Sequence, residues 1–536
     1  MTTLLCVPLM VEEIDRALED ARLARDLGAD LVEYRVDDVF HGEGDDAGQE
    51  AVLRLARETP CTCIVTCRSA EEGGGYDGDD SARISLYEAL GVMDQPPAYV
   101  DLELSTFERS SNLRQKVRLG VVHPGQSKDL SARLILSSHD FDGRPSDLTR
   151  RIGAMIEEDA ASIAKVAFRA RSLRDNLELF ELLAERQKPT IALGMGRFGV
   201  MSRVLAPKFG AFLTFSSLRD ESATAPGQPT IAELVNRYRF RSIGARTKVY
   251  GVIGWPAEQS IGPDVHNAAF EAVGHDGVYL ALPVAPEWES FKATVLAMLD
   301  DPRLDFTGAS VTMPHKEHAL RLAEEQGWGI DASARMCGVA NTIAVDGDGV
   351  RVTNTDVAGV RVPLEDALGG IAGKRVLVIG SGGAARAACV ACAEGEVFVA
   401  NRTHEKAESL ADSLDAAVGA RAVAMGDLAS ERFDAVVHCT PVGMAGGPDE
   451  QGSPVDERVM DAWASSGGPV VFDTVYTPAR TPLVALAEER SMRVVPGLSM
   501  FVEQACAQSA LWTGAPAPSG VMMRIAEEVL ASDPGT

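Results

Sequence analysis

The sequence has no uninterrupted apolar run of the ~20 residues that a membrane-spanning helix needs. Its first residues, MTTLLCVPLMVEEIDRALED, become acidic at once and lack the basic start of a signal peptide. We therefore expect neither a membrane protein nor a secreted one, and we predict a soluble protein of the cytoplasm.

Positive charge is also scarce. The chain of 536 residues has 51 Lys and Arg residues against 78 Asp and Glu residues, which gives a formal net charge of −27. Such a charge repels nucleic acid phosphates and anionic membrane surfaces, so we expect small-molecule partners and neither nucleic acid nor membrane. No oligomeric state is predicted.

Cysteine is sparse, with nine residues that lie inside apolar stretches such as CTCIVTC. The one CxxC pair, Cys389 and Cys392, has no second pair of ligands nearby. This distribution favours buried free thiols over disulfides, a redox motif or a zinc site, and we assign no metal.

The first 240 residues alternate short β-branched runs with helical patterns. Eight strands are predicted, with the sequences TLLCVPLM, LVEYRV, CTCIVTC, AYVDLEL, ARLILSS, SIAKVAF, PTIALGM and AFLTFSS. Eight strands, each followed by a helix within ~250 residues, are typical of a (β/α)8 TIM barrel. Residues 1–240 are therefore predicted to form such a barrel.

A different organisation follows a short polar connector at residues 241–247. Residues 248–372 are predicted to form a strand-led α/β domain, which begins at KVYGVIG. Residues 373–498 open with KRVLVIGSGGAARAACVACA, a strand, a glycine-rich turn and a helix in the order of a Rossmann dinucleotide-binding domain.

Charged residues alternate along EYRVD, which places Glu33 and Arg35 on the same side of one strand. In a barrel that side is the interior, where an isolated charge is unfavourable. An arginine there suits a substrate with a carboxylate, and a structural ion pair of Glu33 and Arg35 is the alternative.

A lysine and a histidine fall on consecutive predicted strands. Lys165 lies in the apolar run SIAKVAF, where loss of water favours a neutral, nucleophilic amine that forms a Schiff base. Alone, such a lysine could equally extend its ammonium group into water at the strand end. His139 closes the preceding strand and supplies a group that transfers protons, which favours the catalytic interpretation.

These motifs resemble, in order, those of the type I 3-dehydroquinate dehydratases, which are Schiff-base (β/α)8 enzymes. The matching segments are EYRVD, TCRSAEEGG, SSHDF, SIAKVAF, MGRFGVMSR and ATAPGQ. The resemblance implies that Lys165 forms the imine, that His139 moves protons and that Glu72 orients His139. It also implies that Arg203 binds the substrate carboxylate, and that the remaining pocket residues are Glu33, Arg35, Arg68, Thr224 and Gln228. Thr224 replaces the family's usual serine, and Leu193 a frequent methionine.

In the second half, VLVIGSGGAARA places Gly380, Gly382 and Ala385 in the G-x-G-x-x-A spacing that binds a dinucleotide pyrophosphate. The next strand, EVFVANRT, ends without the acidic residue that holds an NAD ribose and carries Arg402 instead. An arginine suits the 2′-phosphate of NADP, so NADP(H) is the predicted cofactor. A solvated surface charge is the alternative for Arg402.

The segments SVTMPHK, GVANT and VTNTD precede this unit and contain Lys316 and Asp356, a natural pair for proton transfer. Taken singly, Lys316 could be a surface charge at a helix start, and Asp356 a turn residue.

The pattern from about Lys248 to Gly514 resembles the shikimate dehydrogenases, in which a substrate-binding domain precedes the NADP domain and C-terminal helices, here about 499–536, return to the first. The resemblance implies that Lys316 and Asp356 are catalytic. It implies substrate contacts from Ser260, Thr312, Asn341, Tyr476 and Gln504. It implies cofactor contacts from Gly380, Gly382, Gly383, Ala384, Ala385, Asn401, Arg402, Thr403, Thr440, Gly443, Met444, Gly497 and Met500.

Two positions depart from that family. Gly262 stands where a second serine usually follows Ser260, so one hydroxyl that binds the carboxylate is missing, a loss of about 1–3 kcal/mol if nothing replaces it. Val357 replaces a common glycine.

Together, the two halves resemble a bifunctional enzyme that dehydrates 3-dehydroquinate to 3-dehydroshikimate and then reduces this product to shikimate with NADPH. One alternative is that the second half is a quinate or quinate/shikimate dehydrogenase, which Gly262 would favour. Another is a ligand sensor without turnover, against which the retained Lys165, His139, Lys316 and Asp356 argue.

Overall fold

The computed structural model describes residues 2–121, 132–219 and 227–532. The chain divides into two compact units, Met1–Thr247 and Lys248–Thr536. Within the described residues, none of the helices combines the length and apolar character that a membrane span requires. All nine cysteines are free thiols, and seven of them are buried.

The first unit is built around eight parallel strands, as predicted. They are β1 (Leu4–Met10), β2 (Leu31–Arg35), β3 (Cys63–Thr66), β4 (Tyr99–Glu103), β5 (Arg133–Asp140), β6 (Ala161–Arg169), β7 (Thr190–Met195) and β8 (Leu213–Phe215). Strands β1 to β7 pair in chain order, and β8 pairs with β1. The amide of Phe212 donates to the carbonyl of Thr190 at 2.8 Å, which joins β8 to β7 and nearly closes the barrel.

Helices surround this barrel, which confirms the predicted (β/α)8 fold. They are α1 (Ile14–Asp26), α2 (Asp46–Glu58), α3 (Asp80–Gly91), α4 (Leu104–Arg109), α5 (Ser111–Val121), α6 (Leu148–Glu157), α7 (Arg174–Ala184) and α8 (Val200–Val204).

The interior of the barrel changes from apolar to polar along the strands. Because alternate side chains of a strand point the same way, residues two apart share the interior. Four strands carry an apolar residue followed two positions later by a polar one: Leu31 and Glu33, Tyr99 and Asp101, Ile135 and Ser137, Ile163 and Lys165. The apolar residues form a floor, and the polar ones face the carboxyl ends of the strands, where barrel enzymes place their active sites.

The second unit begins with a six-stranded mixed sheet in the order β10-β9-β11-β13-β14-β12. Its strands are β9 (Lys248–Gly254), β10 (Gly277–Pro283), β11 (Phe306–Val311), β12 (Gly329–Ile330), β13 (Thr342–Asp346) and β14 (Gly349–Thr353). Its helices are α9 (Gly262–Ala272), α10 (Trp288–Asp300), α11 (Lys316–Gln326), α12 (Ala332–Cys337) and α13 (Asp356–Leu368).

A second, fully parallel sheet follows, which confirms the predicted Rossmann fold. Its strands are β15 (Arg375–Ile379), β16 (Glu396–Ala400), β17 (Arg421–Ala422), β18 (Ala435–His438), β19 (Val470–Asp473) and β20 (Val494–Val495). The helices are α14 (Gly383–Ala391), α15 (His404–Val418), α16 (Glu457–Ser465) and α17 (Pro482–Glu489). The sheet order β17-β16-β15-β18-β19-β20 reverses between β15 and β18, where dinucleotides bind in such folds.

The last two helices, α18 (Gly497–Thr513) and α19 (Ser519–Ser532), pack against α9 of the first sheet domain. An apolar cluster joins Val265 and Ala269 of α9 to Val502 and Ala505 of α18 and to Met522 of α19.

Candidate active sites

A pocket opens at the carboxyl ends of the barrel strands. Eight predicted residues line it, namely Glu33, Arg35, Arg68, Glu72, His139, Lys165, Arg203 and Gln228. Leu193 lines it as well, and Thr224 lies outside the described residues. The structure thus gathers around one cavity residues that are spread over 196 positions of the sequence, from 33 to 228.

Lys165 lies on β6 and is buried, with 4% of its surface exposed. Its Nζ is 2.8 Å from Asp101 Oδ2 and 3.6 Å from Glu33 Oε1. The same atom lies 4.6 Å from the centre of the Phe215 ring. These contacts hold the amine at the polar layer of the barrel, where water is excluded and a ketone in the pocket would be within its reach.

His139 and Glu72 form a hydrogen-bonded pair at the rim of the same pocket. Glu72 Oε2 accepts from the backbone amide of His139 at 2.8 Å and lies 3.1 Å from His139 Nδ1. Burial and the positive charges of Arg68 and Lys165 lower the pKa of His139 well below its usual value. The imidazole is therefore neutral near pH 7, and with Nδ1 donating to Glu72 its Nε2 is free of a proton and can accept one.

Two buried arginines of the pocket differ in their partners. Arg68 donates to Asp101 Oδ1 at 2.6 Å, to Glu103 Oε1 at 3.0 Å and to Ser137 Oγ at 2.8 Å. Its charge is therefore balanced inside the barrel.

Arg203 has one acceptor in the described part of the chain, the carbonyl of Phe215 at 3.3 Å, and no carboxylate there within ion-pair distance. Burial lowers the pKa of Arg203 to about 10, and its Nε has no partner among the described residues. A buried guanidinium with unused donors fits an anionic ligand.

Arg35 pairs with Asp37 and not with Glu33. Its Nε and Nη2 donate to the two oxygens of Asp37 at 3.0 and 2.9 Å. Glu33 accepts from Thr66 Oγ1 at 2.7 Å instead. The ion pair of Glu33 with Arg35, the alternative interpretation of EYRVD, is therefore absent from this arrangement.

The carboxylates of β4 are not among the site residues predicted from the sequence. Asp101 and Glu103 are fully buried and bind Arg68 and, for Asp101, Lys165. Burial opposes ionisation of Asp101, but the charges of Arg68 and Lys165 lower its pKa well below the usual value. The signal was available, since AYVDLEL alternates charges along a strand in the same way as EYRVD.

In the second unit, Lys316 and Asp356 begin the helices α11 and α13 and meet directly. Lys316 Nζ donates to Asp356 Oδ2, and Asn341 Nδ2 donates to Asp356 Oδ1 at 2.9 Å. Asp356 is 5% exposed and is the first residue of α13. A Cβ atom at Gly383 would lie 3.4 Å from Lys316 Cδ, so the lysine adjoins the glycine-rich turn.

The turn after β15 has the geometry of a pyrophosphate cradle. Gly380 has a φ of +134°, and a Cβ atom there would lie 2.8 Å from the carbonyl of Cys439, so a side chain is excluded. Gly382 precedes α14, and Gly383, Ala384 and Ala385 form its first turn. The backbone amides and dipole of this helix start favour a bound phosphate.

The predicted 2′-phosphate residues follow β16. Asn401 Nδ2 donates to the carbonyl of Thr403 at 3.0 Å, and Arg402 and Thr403 are exposed. No acidic side chain stands at the end of this strand, in agreement with a cofactor that carries a phosphate there.

The remaining predicted cofactor residues form two segments. Thr440, Gly443 and Met444 follow β18, and Thr440 Cγ2 is 3.3 Å from the position of a Cβ atom on Gly380. Gly497 and Met500 open α18, where Met500 is 8% exposed and packs into the core of the Rossmann domain.

Three of the predicted substrate residues are half-buried at strand ends. Ser260 follows β9 and accepts from the Gly262 amide at 3.1 Å, while Thr312 follows the neighbouring strand β11. Tyr476 follows β19, and burial raises the pKa of its hydroxyl. The other two are Gln504, which lies on α18 and donates to the Phe501 carbonyl at 2.9 Å, and Asn341, which contacts Asp356 as described above.

Tyr279 occupies the space beside Gly262. A Cβ atom on Gly262 would lie 3.3 Å from Tyr279 Cε1, 3.5 Å from its hydroxyl and 3.0 Å from Ser260 Oγ. The hydroxyl of Tyr279 donates to Ser310 Oγ at 2.6 Å. A second hydroxyl is thus present next to Ser260, on a residue that the sequence analysis did not single out.

A chain of hydrogen bonds runs from Tyr279 towards Asp356 through Gln508 of α18. Ser310 Oγ donates to Gln508 Oε1 at 2.7 Å, and Gln508 Nε2 donates to Thr342 Oγ1 at 2.9 Å. Thr342 in turn donates to Asn341 Oδ1 at 2.7 Å, which orients the amide that contacts Asp356. Gln508 is fully buried and lies one helical turn after Gln504, a spacing that could have indicated it.

Profiles of known protein families match the chain in consecutive segments. Type I 3-dehydroquinase matches residues 5–245, and the shikimate dehydrogenase substrate binding domain matches residues 252–343. Shikimate / quinate 5-dehydrogenase matches residues 364–443, and the shikimate 5'-dehydrogenase C-terminal domain matches residues 497–527.

Similar proteins extend these matches. The bifunctional 3-dehydroquinate dehydratase/shikimate dehydrogenase, chloroplastic, of Arabidopsis thaliana is 36% identical over 98% of this chain and 84% of its own length. The NADP(+) shikimate dehydrogenase of Citrifermentans bemidjiense is 37% identical over 52% of this chain and 95% of its own. A solved structure of the dehydroquinate dehydratase and shikimate dehydrogenase from S. pombe is 26% identical and covers 98% of both chains, with a TM-score of 0.43.

Proposed function

The chain belongs to the family of bifunctional 3-dehydroquinate dehydratase/shikimate dehydrogenases, and from this premise we propose how its own residues carry out the two reactions. The barrel dehydrates 3-dehydroquinate to 3-dehydroshikimate. The second unit reduces 3-dehydroshikimate to shikimate with NADPH.

In the barrel, Arg203 binds the substrate carboxylate and Lys165 Nζ attacks the ketone carbon, which releases water and forms an iminium. The iminium withdraws electrons, so the adjacent C–H becomes acidic and His139 Nε2 removes its proton. The hydroxyl group then leaves, protonated by the same imidazolium, as the new C=C bond forms. Hydrolysis of the imine releases the product and restores Lys165.

The surrounding groups orient His139 and bind the substrate. Glu72 fixes the orientation of His139, as its two contacts of 2.8 and 3.1 Å support. Glu33, Arg35, Arg68, Thr224 and Gln228 are proposed to hold the ring hydroxyls. The observation that carries the proposal is that Lys165, His139 and Arg203 line one cavity.

The second unit fits NADPH, because the turn at Gly380 leaves no room for a side chain and the amides at the start of α14 face this turn, where the pyrophosphate would bind. The predicted binding residues are those of the turn, the segment Asn401–Thr403, and the segments around Thr440 and Gly497. When bound, the cofactor supplies the hydride of the reduction.

Lys316 supplies the proton that the carbonyl oxygen of the substrate takes up, and Asp356 holds the lysine ammonium in place. Ser260, Thr312, Asn341, Tyr476 and Gln504 are proposed to bind the carboxylate and hydroxyls. Oxidation of NADPH by 3-dehydroshikimate, compared with oxidation of NADH, tests this assignment. We expect a preference for NADPH, and equal rates with NADH would contradict the role of Arg402.

Gly262 supports a second candidate substrate, quinate, because the usual serine hydroxyl is absent next to Ser260 and the hydroxyl of Tyr279 lies there instead. Oxidation of shikimate and quinate by the same protein with NADP distinguishes the two. Faster turnover of quinate would establish this candidate.

We also propose a cytoplasmic location and small-molecule partners only. Nine free thiols suit a reducing compartment, and the net charge of −27 disfavours nucleic acid and anionic membranes. Fractionation of cells that express the full chain tests the location, and recovery with organelles or membranes would contradict it.

A further inference from the structure

A fully buried histidine and aspartate pair lies in the Rossmann domain and has no part in the reactions described above. His438 ends β18 and Asp473 ends the neighbouring strand β19, and both are 0% exposed. His438 Nδ1 is 2.9 Å from Asp473 Oδ1. Burial of such a pair is unfavourable unless its remaining polar atoms are also bonded, so the other contacts of the pair are informative.

The other contacts of Asp473 indicate which atom carries the hydrogen of its contact with His438. Asp473 Oδ1 also accepts from the amide of Val475 at 3.0 Å, and Oδ2 accepts from Thr481 Oγ1 at 2.6 Å. Since both oxygens act as acceptors, the hydrogen of the histidine contact belongs to His438 Nδ1. The other ring nitrogen, His438 Nε2, is 2.5 Å from Thr440 Oγ1.

Both ends of this arrangement reach the reductase site. Thr440 Oγ1 also accepts from the amide of Val442 at 3.3 Å, so the hydroxyl organises the start of the segment 440–444. The methyl group of Thr440 lies against Gly380, the first glycine of the pyrophosphate turn. At the other end, Val475 precedes Tyr476, a proposed substrate residue.

We propose that His438 is a positioning residue that sets the affinity for NADPH by holding Thr440 against the pyrophosphate turn, and that Asp473 links it to the backbone that carries Tyr476. The proposal rests on the proposed function of the second unit as an NADPH-dependent reductase. His438 acts through Thr440 and touches neither substrate nor cofactor.

Asparagine and glutamine separate the two contacts of His438. In His438→Asn, the amide occupies the place of Nδ1 and keeps the contact with Asp473, but the contact with Thr440 is lost. In His438→Gln, the amide reaches towards Thr440 instead. We expect a five- to tenfold weaker Kd for NADPH with His438→Asn, the effect of one hydrogen bond, and a smaller change with His438→Gln.

The measurement is the Kd of NADPH for the full chain, determined from the fluorescence of the bound nucleotide and therefore independent of turnover. KM for 3-dehydroshikimate and kcat are measured in parallel. In His438→Asn, we expect KM and kcat to change less than the Kd for NADPH. In Asp473→Asn, we expect the KM for 3-dehydroshikimate to rise together with the Kd for NADPH.

Two controls separate positioning from loss of stability. Thr440→Val removes the hydroxyl that contacts His438 but keeps a methyl group against Gly380, so its Kd for NADPH should resemble that of His438→Asn. Trp463→Phe removes another buried hydrogen bond of the same domain, from Trp463 Nε1 to the carbonyl of Leu428 at 2.9 Å, and should lower Tm without changing the Kd.

A wild-type Kd in His438→Asn would overturn the proposal. So would a loss of affinity in Trp463→Phe equal to that in His438→Asn, since general destabilisation would then explain both. A wild-type protein that oxidises no NADPH would instead overturn the proposed function, so the two failures are distinguishable.

Discussion

Replacement of Lys165 by methionine separates chemistry from stability in the barrel. The lysine Nζ lies 2.8 Å from Asp101 and 3.6 Å from Glu33, and both carboxylates are buried. Removal of one partner from a buried ion pair costs about 3–5 kcal/mol. Asp101 retains Arg68 in the variant, so we expect the lower end, a decrease of about 3 kcal/mol in the free energy of unfolding of the barrel.

The assay is treatment with borohydride in the presence of 3-dehydroquinate, followed by measurement of the intact mass and of the dehydration rate. Lys165→Met should trap no substrate and produce no enone, while reduction of 3-dehydroshikimate continues. Lys188→Met is a matched control, because Lys188 Nζ donates to three backbone carbonyls of the same barrel at 2.9–3.0 Å without lining the pocket. Trapping by Lys165→Met would show that another lysine forms the imine.

Three further changes test the second unit. Asp356→Asn should lower the rate of reduction by about 10²-fold or more, because the carboxylate no longer holds the proton donor, and unchanged dehydration confirms that the barrel is intact. Gly262→Ser adds a hydroxyl beside Ser260 that can bind the substrate carboxylate and should lower KM for shikimate about fivefold; an unchanged KM would contradict the position of the carboxylate. Burial lowers the pKa of His266 from 6.5 to about 3, so below pH 6.5 the unfolded chain takes up a proton that the folded chain does not. The free energy of unfolding therefore decreases as the pH is lowered. Urea unfolding at pH 7 and pH 5 should show a loss of stability about 2 kcal/mol larger in wild type than in His266→Phe, and equal losses in both would refute it.

Much of the fold was predictable because the pattern of each element is local. The eight barrel strands are short β-branched runs. The motif in GSGGAARA is also local, and it alone indicates that the turn needs a glycine at Gly380. The lysine and histidine of the barrel were also predictable, since Lys165 interrupts an apolar strand and His139 lies at the end of one.

The partners of these residues were not predictable in the same way, because they come from distant parts of the chain. Asp101 meets Lys165 across 64 positions and Arg68 across 33, and only the closure of the barrel brings them together. Alternation along β4 places Asp101 in the interior, but it does not name the cation that it binds.

The substrate site of the second unit shows the same limit. The absence of a side chain at Gly262 is evident from the sequence, whereas the tyrosine that fills the space comes from another strand. Likewise, Gln508 joins β11 to β13 from a C-terminal helix about 170 to 200 positions away. Such contacts depend on how helices return to a sheet, which no local pattern records.

One chain should catalyse both reactions, and a single progress curve tests this. Purified full-length protein is given 3-dehydroquinate, and the absorbance of the conjugated enone is followed before and after addition of NADPH. We expect a rise in enone absorbance, then its fall with an equal amount of NADPH oxidised. Failure to form the enone, or an enone that persists while NADPH is not consumed, would contradict it.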